Sequence, residues 1–172
     1  MHILEKLCYV NPMKTKLDHL PEAKQSELRQ IAAAILNMCD DIEMIILFGS
    51  YARGDWKEEA DLAPDRKSGH ASDYDILAVT GERETVRDSL LWHKISDRCN
   101  ALGLSANVRI IVHEVTFIQK RLKEIHYFFS DIVKQGCRLY DTGQYELKVK
   151  RELKPEEKYK IANHHFEHWF GR

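Results

Sequence analysis

Two short apolar runs joined by a polar stretch constrain this chain more than any other feature. The first, Ile45-Ile46-Leu47-Phe48, ends on Gly49-Ser50-Tyr51-Ala52-Arg53-Gly54-Asp55. The second, Ile76-Leu77-Ala78-Val79, is entered through Ser72-Asp73-Tyr74-Asp75. Short apolar, β-rich runs bounded by turn formers read as buried strands. Gly49 lets the backbone turn and lets a bulky group come close. Ser50 takes the place of a helix N-cap before Tyr51-Ala52-Arg53. Free backbone N–H groups at such a start attract phosphate. Residues two apart on a strand share a face, so Asp73 and Asp75 point one way and Tyr74 and Ile76 the other. Two carboxylates on one face repel each other unless a cation lies between them. A hard ion such as Mg²⁺ is bound by carboxylates and substrate phosphates in this way.

A Gly-Ser turn followed by Asp-x-Asp on the next strand resembles the nucleotidyltransferase superfamily that includes DNA polymerase β. The matching residues are Gly49, Ser50, Asp73 and Asp75. Their surroundings are most similar to the minimal nucleotidyltransferase domains of prokaryotic type. Either half alone is a weak signal, and both in order, each attached to an apolar run, make a strong one. The resemblance covers about residues 42–141. It implies that these four residues hold a nucleoside triphosphate and Mg²⁺, with Asp73 and Asp75 as metal ligands and catalytic residues. Gly49, Ser50 and Arg53 then bind the nucleotide, ATP being the expected one.

The 172 residues suit one globular domain plus an appendage. A net charge of −1 gives no general drive toward nucleic acid or membrane. No apolar stretch is long enough to span a bilayer, and the N-terminus lacks a signal-peptide core. Cys8, Cys39, Cys99 and Cys137 are scattered without metal spacing, so reduced, mostly buried thiols in a cytoplasmic protein are expected.

Along the chain, Pro21 opens a helix whose stripe is Leu28, Ile31, Ala32, Ile35 and Leu36, with Asp40-Asp41 as the turn before the first strand. The insert from Trp56 to Ala71 is charged and carries Pro64, Gly69 and His70, as a surface loop does. It is either a segment that closes over substrate or solvated slack. Arg53 either reaches phosphate or a site carboxylate, or is an ordinary surface residue; its place in the motif favours the former. Asp55 after Gly54 reads as a turn or cap residue. A helix over roughly Glu84 to Leu102 carries the stripe Leu91, Ile95, Cys99 and Leu102 and closes on Gly103, with Trp92 and His93 as packing residues. A strand over Asn107 to Val115 follows. Helices over Phe117–Leu122 and His126–Gln135 come next, with Gly136 as a stop and Tyr127, Phe128 and Phe129 as core. The last strand is Cys137 to Tyr140, with Asp141-Thr142-Gly143 as its turn.

The chain departs from the family pattern at one place. Relatives carry a third carboxylate on the strand after Asp-x-Asp. Here Asn107 or Arg109 occupies that slot, and Glu114 is out of register. Arg109 cannot act as a base at neutral pH. Three outcomes stay open: a base from elsewhere, such as His113 or Glu114; nucleotide binding without turnover; or a weaker, metal-only route.

From Tyr145 the chain turns Lys- and Glu-rich and then, from Pro155, shows an aromatic stripe of Tyr159, Phe166, Trp169 and Phe170. This segment is similar to the opening helix of a HEPN domain. It implies a HEPN partner in cis or trans and an open reading frame that continues past Arg172; docking on a second copy as a homodimer is the other reading. His164, His165 and His168 read as the polar face of that helix rather than as a metal site. The expectation is thus an α/β fold, a small mixed sheet flanked by helices with a C-terminal amphipathic helix. Residues 1–143 form the nucleotidyltransferase-like domain and 144–172 the linker and first HEPN helix. Its expected activity is nucleoside monophosphate transfer to a hydroxyl, on a small molecule or on a protein tyrosine such as that of a HEPN toxin. The alternative is a weakened nucleotide-binding module that controls a HEPN domain as an antitoxin.

Overall fold

The computed structural model describes residues 13–61 and 71–149. Cys8, most of the insert with Pro64, Gly69 and His70, and the segment expected to form the aromatic C-terminal helix lie outside the described residues.

Four strands, β1 (Ile42–Phe48), β2 (Tyr74–Thr80), β3 (Val108–Glu114) and β4 (Cys137–Asp141), form one sheet in the order β3-β2-β1-β4. β1 runs antiparallel to β2 and β4, and β2 runs parallel to β3, so the sheet is mixed. The parallel connection is long because it has to carry the chain back along the sheet, which is the work of two helices. These are α3 (Arg83–Arg87) and α4 (Ser89–Asn100). One continuous helix was expected here. The chain breaks at Asp88, whose carboxylate accepts the Leu91 N–H at 2.9 Å and caps α4. α4 ends at Ala101, short of Gly103.

Both faces of the sheet are covered. On one, α1 (Glu22–Leu36) and α4 pack Leu28, Ile31, Ile35, Trp92, Ile95 and Cys99 against Ile45, Leu47, Tyr74, Ile76 and Ala78. On the other, α5 (Val115–Lys123) and α6 (Tyr127–Gln135) pack Ile118, Leu122, Phe129, Ile132 and Val133 against Met44, Ile46, Leu77 and Val79. Alternation along β1 and β2 sorts each residue into its layer. A Leu or Ile fully buried in this way contributes about 1.5–3 kcal/mol. Cys39, Cys99 and Cys137 are free and buried, as expected. Among the described residues no helix is long and apolar enough to cross a membrane.

Three other expectations are corrected. His93 is exposed and faces Asp97 at 3.4 Å, so only Trp92 of that pair packs. Tyr127 and Phe128 are 62% and 40% exposed, leaving Phe129 as the core member of the aromatic trio. α1 ends at Asn37, and Asp41 does more than turn the chain: its carboxylate accepts the N–H groups of Gly81 and Glu82, pinning the end of β2.

Candidate functional site

The Gly-Ser bend and the acidic pair meet at one end of the two central strands. Register does this: Phe48 at the end of β1 stands opposite Asp75, the second residue of β2. Gly49 follows with φ +74°, a backbone that side-chain-bearing residues rarely adopt. A Cβ on Gly49 would lie 2.4 Å from Asp75 Oδ2, so the carboxylate occupies the space that glycine leaves. Gly49 therefore serves both the turn and the close approach. Its helix, α2 (Gly49–Arg53), begins at Gly49 itself with Phe48 in the cap position. Ser50 is thus the second helical residue and not the N-cap that its type suggests.

Ser50, Asp73 and Asp75 line one cleft of about 970 Å³, together with Arg109, Asn107, Ser105, Lys24 and Glu58. Asp73 precedes β2 at the strand mouth, and Tyr74 and Ile76 are buried in the opposite layer, as alternation requires. Asp75 is half-buried. Burial pushes its carboxyl up from the ordinary 3.8; Arg109 pulls it down, Asp73 raises it and Arg53 lowers it again, leaving a net rise.

β2 and β3 run in parallel register with Asp75 beside Arg109. Arg109 is therefore the residue beside Asp75, while Asn107, also in the lining, precedes β3 and its carbonyl accepts the Tyr74 N–H at 2.8 Å. Arg109 Nε lies 3.4 Å from Asp73 Oδ2. The same register carries His113 and Glu114 to the far end of β3, beside Val79 and Thr80. Four residues of strand separate His113 from Arg109, about 13 Å. His113 stacks on Phe117 at 4.9 Å and meets the edge of Phe129. Burial, aided by Arg121, pushes its pKa down. Glu114 takes the Thr116 hydroxyl. Neither lines the cleft, so both are set aside as its base. Arg53 does not line the cleft either; its Nε donates to Asp55 Oδ2 at 3.2 Å, which also gives Asp55 a partner beyond a turn role.

The other end of the cleft escaped the sequence reading. Lys24 of α1 is buried, donates to Ser105 Oγ at 2.6 Å and pairs with Glu58 at 2.8 Å. Glu27 accepts from Tyr74 Oη at 2.5 Å and from Ser105 N and Oγ at 3.1 and 2.6 Å. Burial alone would raise the Glu27 carboxyl, but the bonds from Ser105 and Tyr74 outweigh it and hold it below the usual range. No motif joins residues 24, 27, 58, 74 and 105. The single local hint was Lys24, one helical turn before Leu28 on an otherwise apolar stripe. The insert starts here as well: Trp56 stacks on Tyr51 at 5.6 Å, and Lys57 and Ser72 bond to each other, so the insert leaves and returns at one point.

Charge and space together suit an anionic ligand that brings a cation. Among the described residues no group of three or more His, Cys, Asp or Glu could hold a metal ion. Two carboxylates at an open cleft still fit Mg²⁺, which keeps most of its shell for water and phosphate oxygens.

No protein-family model and no curated protein matches the sequence. Solved structures do. A chain of the complex between a tri-AMPylated Shewanella oneidensis HEPN toxin and an MNT antitoxin is similar over 84% of this chain and 90% of that one, at 16% identity and a TM-score of 0.42. A toxin–antitoxin crystal structure with AMP-PNP matches over 82% and 90%, at 15% identity and a TM-score of 0.42. A candidate nucleotidyltransferase from Sulfolobus solfataricus matches over 76% and 93%, at 22% identity and a TM-score of 0.41. Likenesses of this size leave the chemistry to be carried by the cleft itself, at the strand ends of a mixed four-stranded sheet flanked by helices.

Proposed function

We propose that the cleft binds a nucleoside triphosphate, ATP in the first instance, and transfers its nucleoside monophosphate to a hydroxyl acceptor. The approach of Asp75 to Gly49 carries this reading. It brings the carboxylate pair to the same opening as Ser50, the residue after that glycine and more than twenty residues away in sequence. In the reaction the acceptor oxygen forms a bond to the α-phosphorus. The bond from that phosphorus to the bridging oxygen breaks, the acceptor gives up its proton and pyrophosphate leaves. Asp73 and Asp75 would hold Mg²⁺, which when bound offsets the charge of the phosphates. The Ser50 hydroxyl and the backbone beside Gly49 would receive phosphate oxygens. Arg109 stands within the same lining to meet them, and Arg53, paired with Asp55, contributes charge from outside it.

The acceptor is a small hydroxyl compound or a protein tyrosine. The HEPN-like pattern after Pro155 makes a HEPN domain, in cis or in trans, the first acceptor to try. A second reading has one observation in its favour: among the described residues the cleft offers no free base. Its acidic lining residues beyond the pair reduce to Glu58, which is paired with Lys24. In that reading the domain binds nucleotide and regulates a HEPN partner without transfer.

Labelled ATP, offered with HEPN domain and with small hydroxyl compounds, tests the first reading. Transfer by the wild type and none by Asp75→Asn supports it; equal signal from both proteins removes it. Mg²⁺-dependent thermal stabilisation by ATP without transfer would support the second.

A further inference from the structure

Resting on the nucleotide reading above, we propose that Arg109 is a fixed cation of the cleft that stands where a second divalent ion would otherwise sit, so that nucleotide is held by one metal ion and one guanidinium. The position follows from register. Arg109 lies beside Asp75 on the neighbouring parallel strand, with its Nε 3.4 Å from Asp73 Oδ2. It cannot drift along the sheet. Ile110 and Val112 pack into the α1/α4 layer and Ile111 into the α5/α6 layer. A slip of β3 by one residue would turn each of them to the wrong face. The side chain is nevertheless 70% exposed, so the guanidinium stands in the cleft lining with donors to spare beyond the contact with Asp73.

Charge decides how many ions this arrangement accepts. Lys24 offsets Glu58 and Lys57 adds a positive charge to the lining, while the two carboxylates and the guanidinium leave a single net negative charge among themselves. One divalent ion turns that into a single positive charge, suited to a phosphate chain. A second ion would add its repulsion from the first and from Arg109, and among the described lining residues the one further carboxylate, Glu58, is already engaged by Lys24. A planar guanidinium also matches two phosphate oxygens at once, which an ammonium does not. The cleft's buried cation, Lys24, is already engaged by Glu58 and Ser105. An alternative role for Arg109 is an ordinary exposed ion pair of little energetic weight.

The test counts ions. The full chain is titrated with Mn²⁺ in the presence of a non-hydrolysable ATP analogue, and bound Mn²⁺ is measured by electron paramagnetic resonance. The wild type should hold one Mn²⁺ per bound nucleotide. Arg109→Asp, which supplies a third carboxylate, should hold two. Arg109→Gln should keep the melting temperature and one ion but bind the analogue about tenfold more weakly or worse, the loss of one charge-assisted contact. Arg109→Lys should recover part of that loss. Two ions on the wild type, or unchanged analogue affinity in Arg109→Gln, overturn the role of Arg109 and leave nucleotide binding standing. A wild type that binds no analogue at all removes the nucleotide reading, and this inference with it.

Discussion

The cleft has two charged ends that solve the same physical problem in opposite ways. At the Lys24 end the described ionised groups are matched: Lys24 by Glu58 and Ser105, Glu27 by Tyr74 and Ser105. At the Asp75 end the matching is incomplete. Asp73 has Arg109 at the longer distance of 3.4 Å, and Asp75 is half-buried beside another acid with its pKa pushed up by burial. Charges that are already matched cost stability when one partner is removed. Charges left in partial conflict mark places where a ligand completes the set. The contrast assigns a scaffold role to one end and a binding role to the other, within a single opening.

The largest effect should come from breaking the unsatisfied end. Asp75→Asn removes a charge but keeps size and shape, and should lower transfer by about a thousandfold or more, since a metal-holding and charge-compensating group is lost. It should not lower the melting temperature. The next effect falls at the satisfied end and has the reverse signature. Glu27→Ala strips the acceptor from Tyr74 Oη and from Ser105, and should cost about 2–3 kcal/mol in chemical denaturation. Once folded, it should bind nucleotide within a few-fold of the wild type. Equal losses of binding in both variants would erase the distinction between the ends.

Why one end was legible and the other was not has a physical cause. Gly49, Ser50, Asp73 and Asp75 lie in two short segments, and each segment carries its own geometry: a bend after a strand, and alternation along a strand. The layers of the core were readable for the same reason, because Leu28, Ile31 and Ile35 or Ile76 and Ala78 declare a face by period alone. The satisfied end is built from α1, the insert, β2 and the loop before β3, and only tertiary packing brings Lys24, Glu58 and Ser105 together. Arg109 falls between these cases. The strand was evident, but the choice between Asn107 and Arg109 needed the parallel register with β2. His113 and Glu114 failed as bases for that reason too, being at the wrong end of a correctly read strand. The break at Asp88 has a local signal of its own, an N-cap residue three before Leu91.

Gly49→Ala probes the joint between segment and register, and its effect should be smaller than either loss above. The backbone at φ +74° resists a side chain by about 1–2 kcal/mol, and the new methyl would press on Asp75 Oδ2. Chemical denaturation should show that loss. Mn²⁺ affinity should fall with it, because the carboxylate has to rotate away. A variant that keeps full Mn²⁺ affinity would mean that the bend and the carboxylate only happen to touch.

The smallest effect is the most discriminating, because the two ends should respond to pH with opposite signs. Asp75 holds its proton more tightly folded than unfolded. The stability it lends is therefore present below its ordinary value of 3.8 and is lost as pH rises through the raised folded value, leaving a constant cost at neutral pH. Glu27 is the reverse: its contribution is present above its ordinary 4.5 and is lost as pH falls through the lowered folded value. Solvent at the half-exposed Asp75 keeps its share small, about 1–3 °C of melting temperature. Without nucleotide or metal, Asp75→Asn should melt above the wild type at pH 7, and the gap should close on acidification below about pH 4. Glu27→Gln should melt below the wild type at pH 7, and that deficit should shrink over the same acid range. Saturating Mg²⁺ and ATP should then reverse the order of wild type and Asp75→Asn at pH 7, because ligand binding stabilises only the form that can bind it. If the two variants instead shift in the same direction across the acid range, both carboxylates are scaffold, and the cleft loses the asymmetry on which a binding role for Asp75 depends.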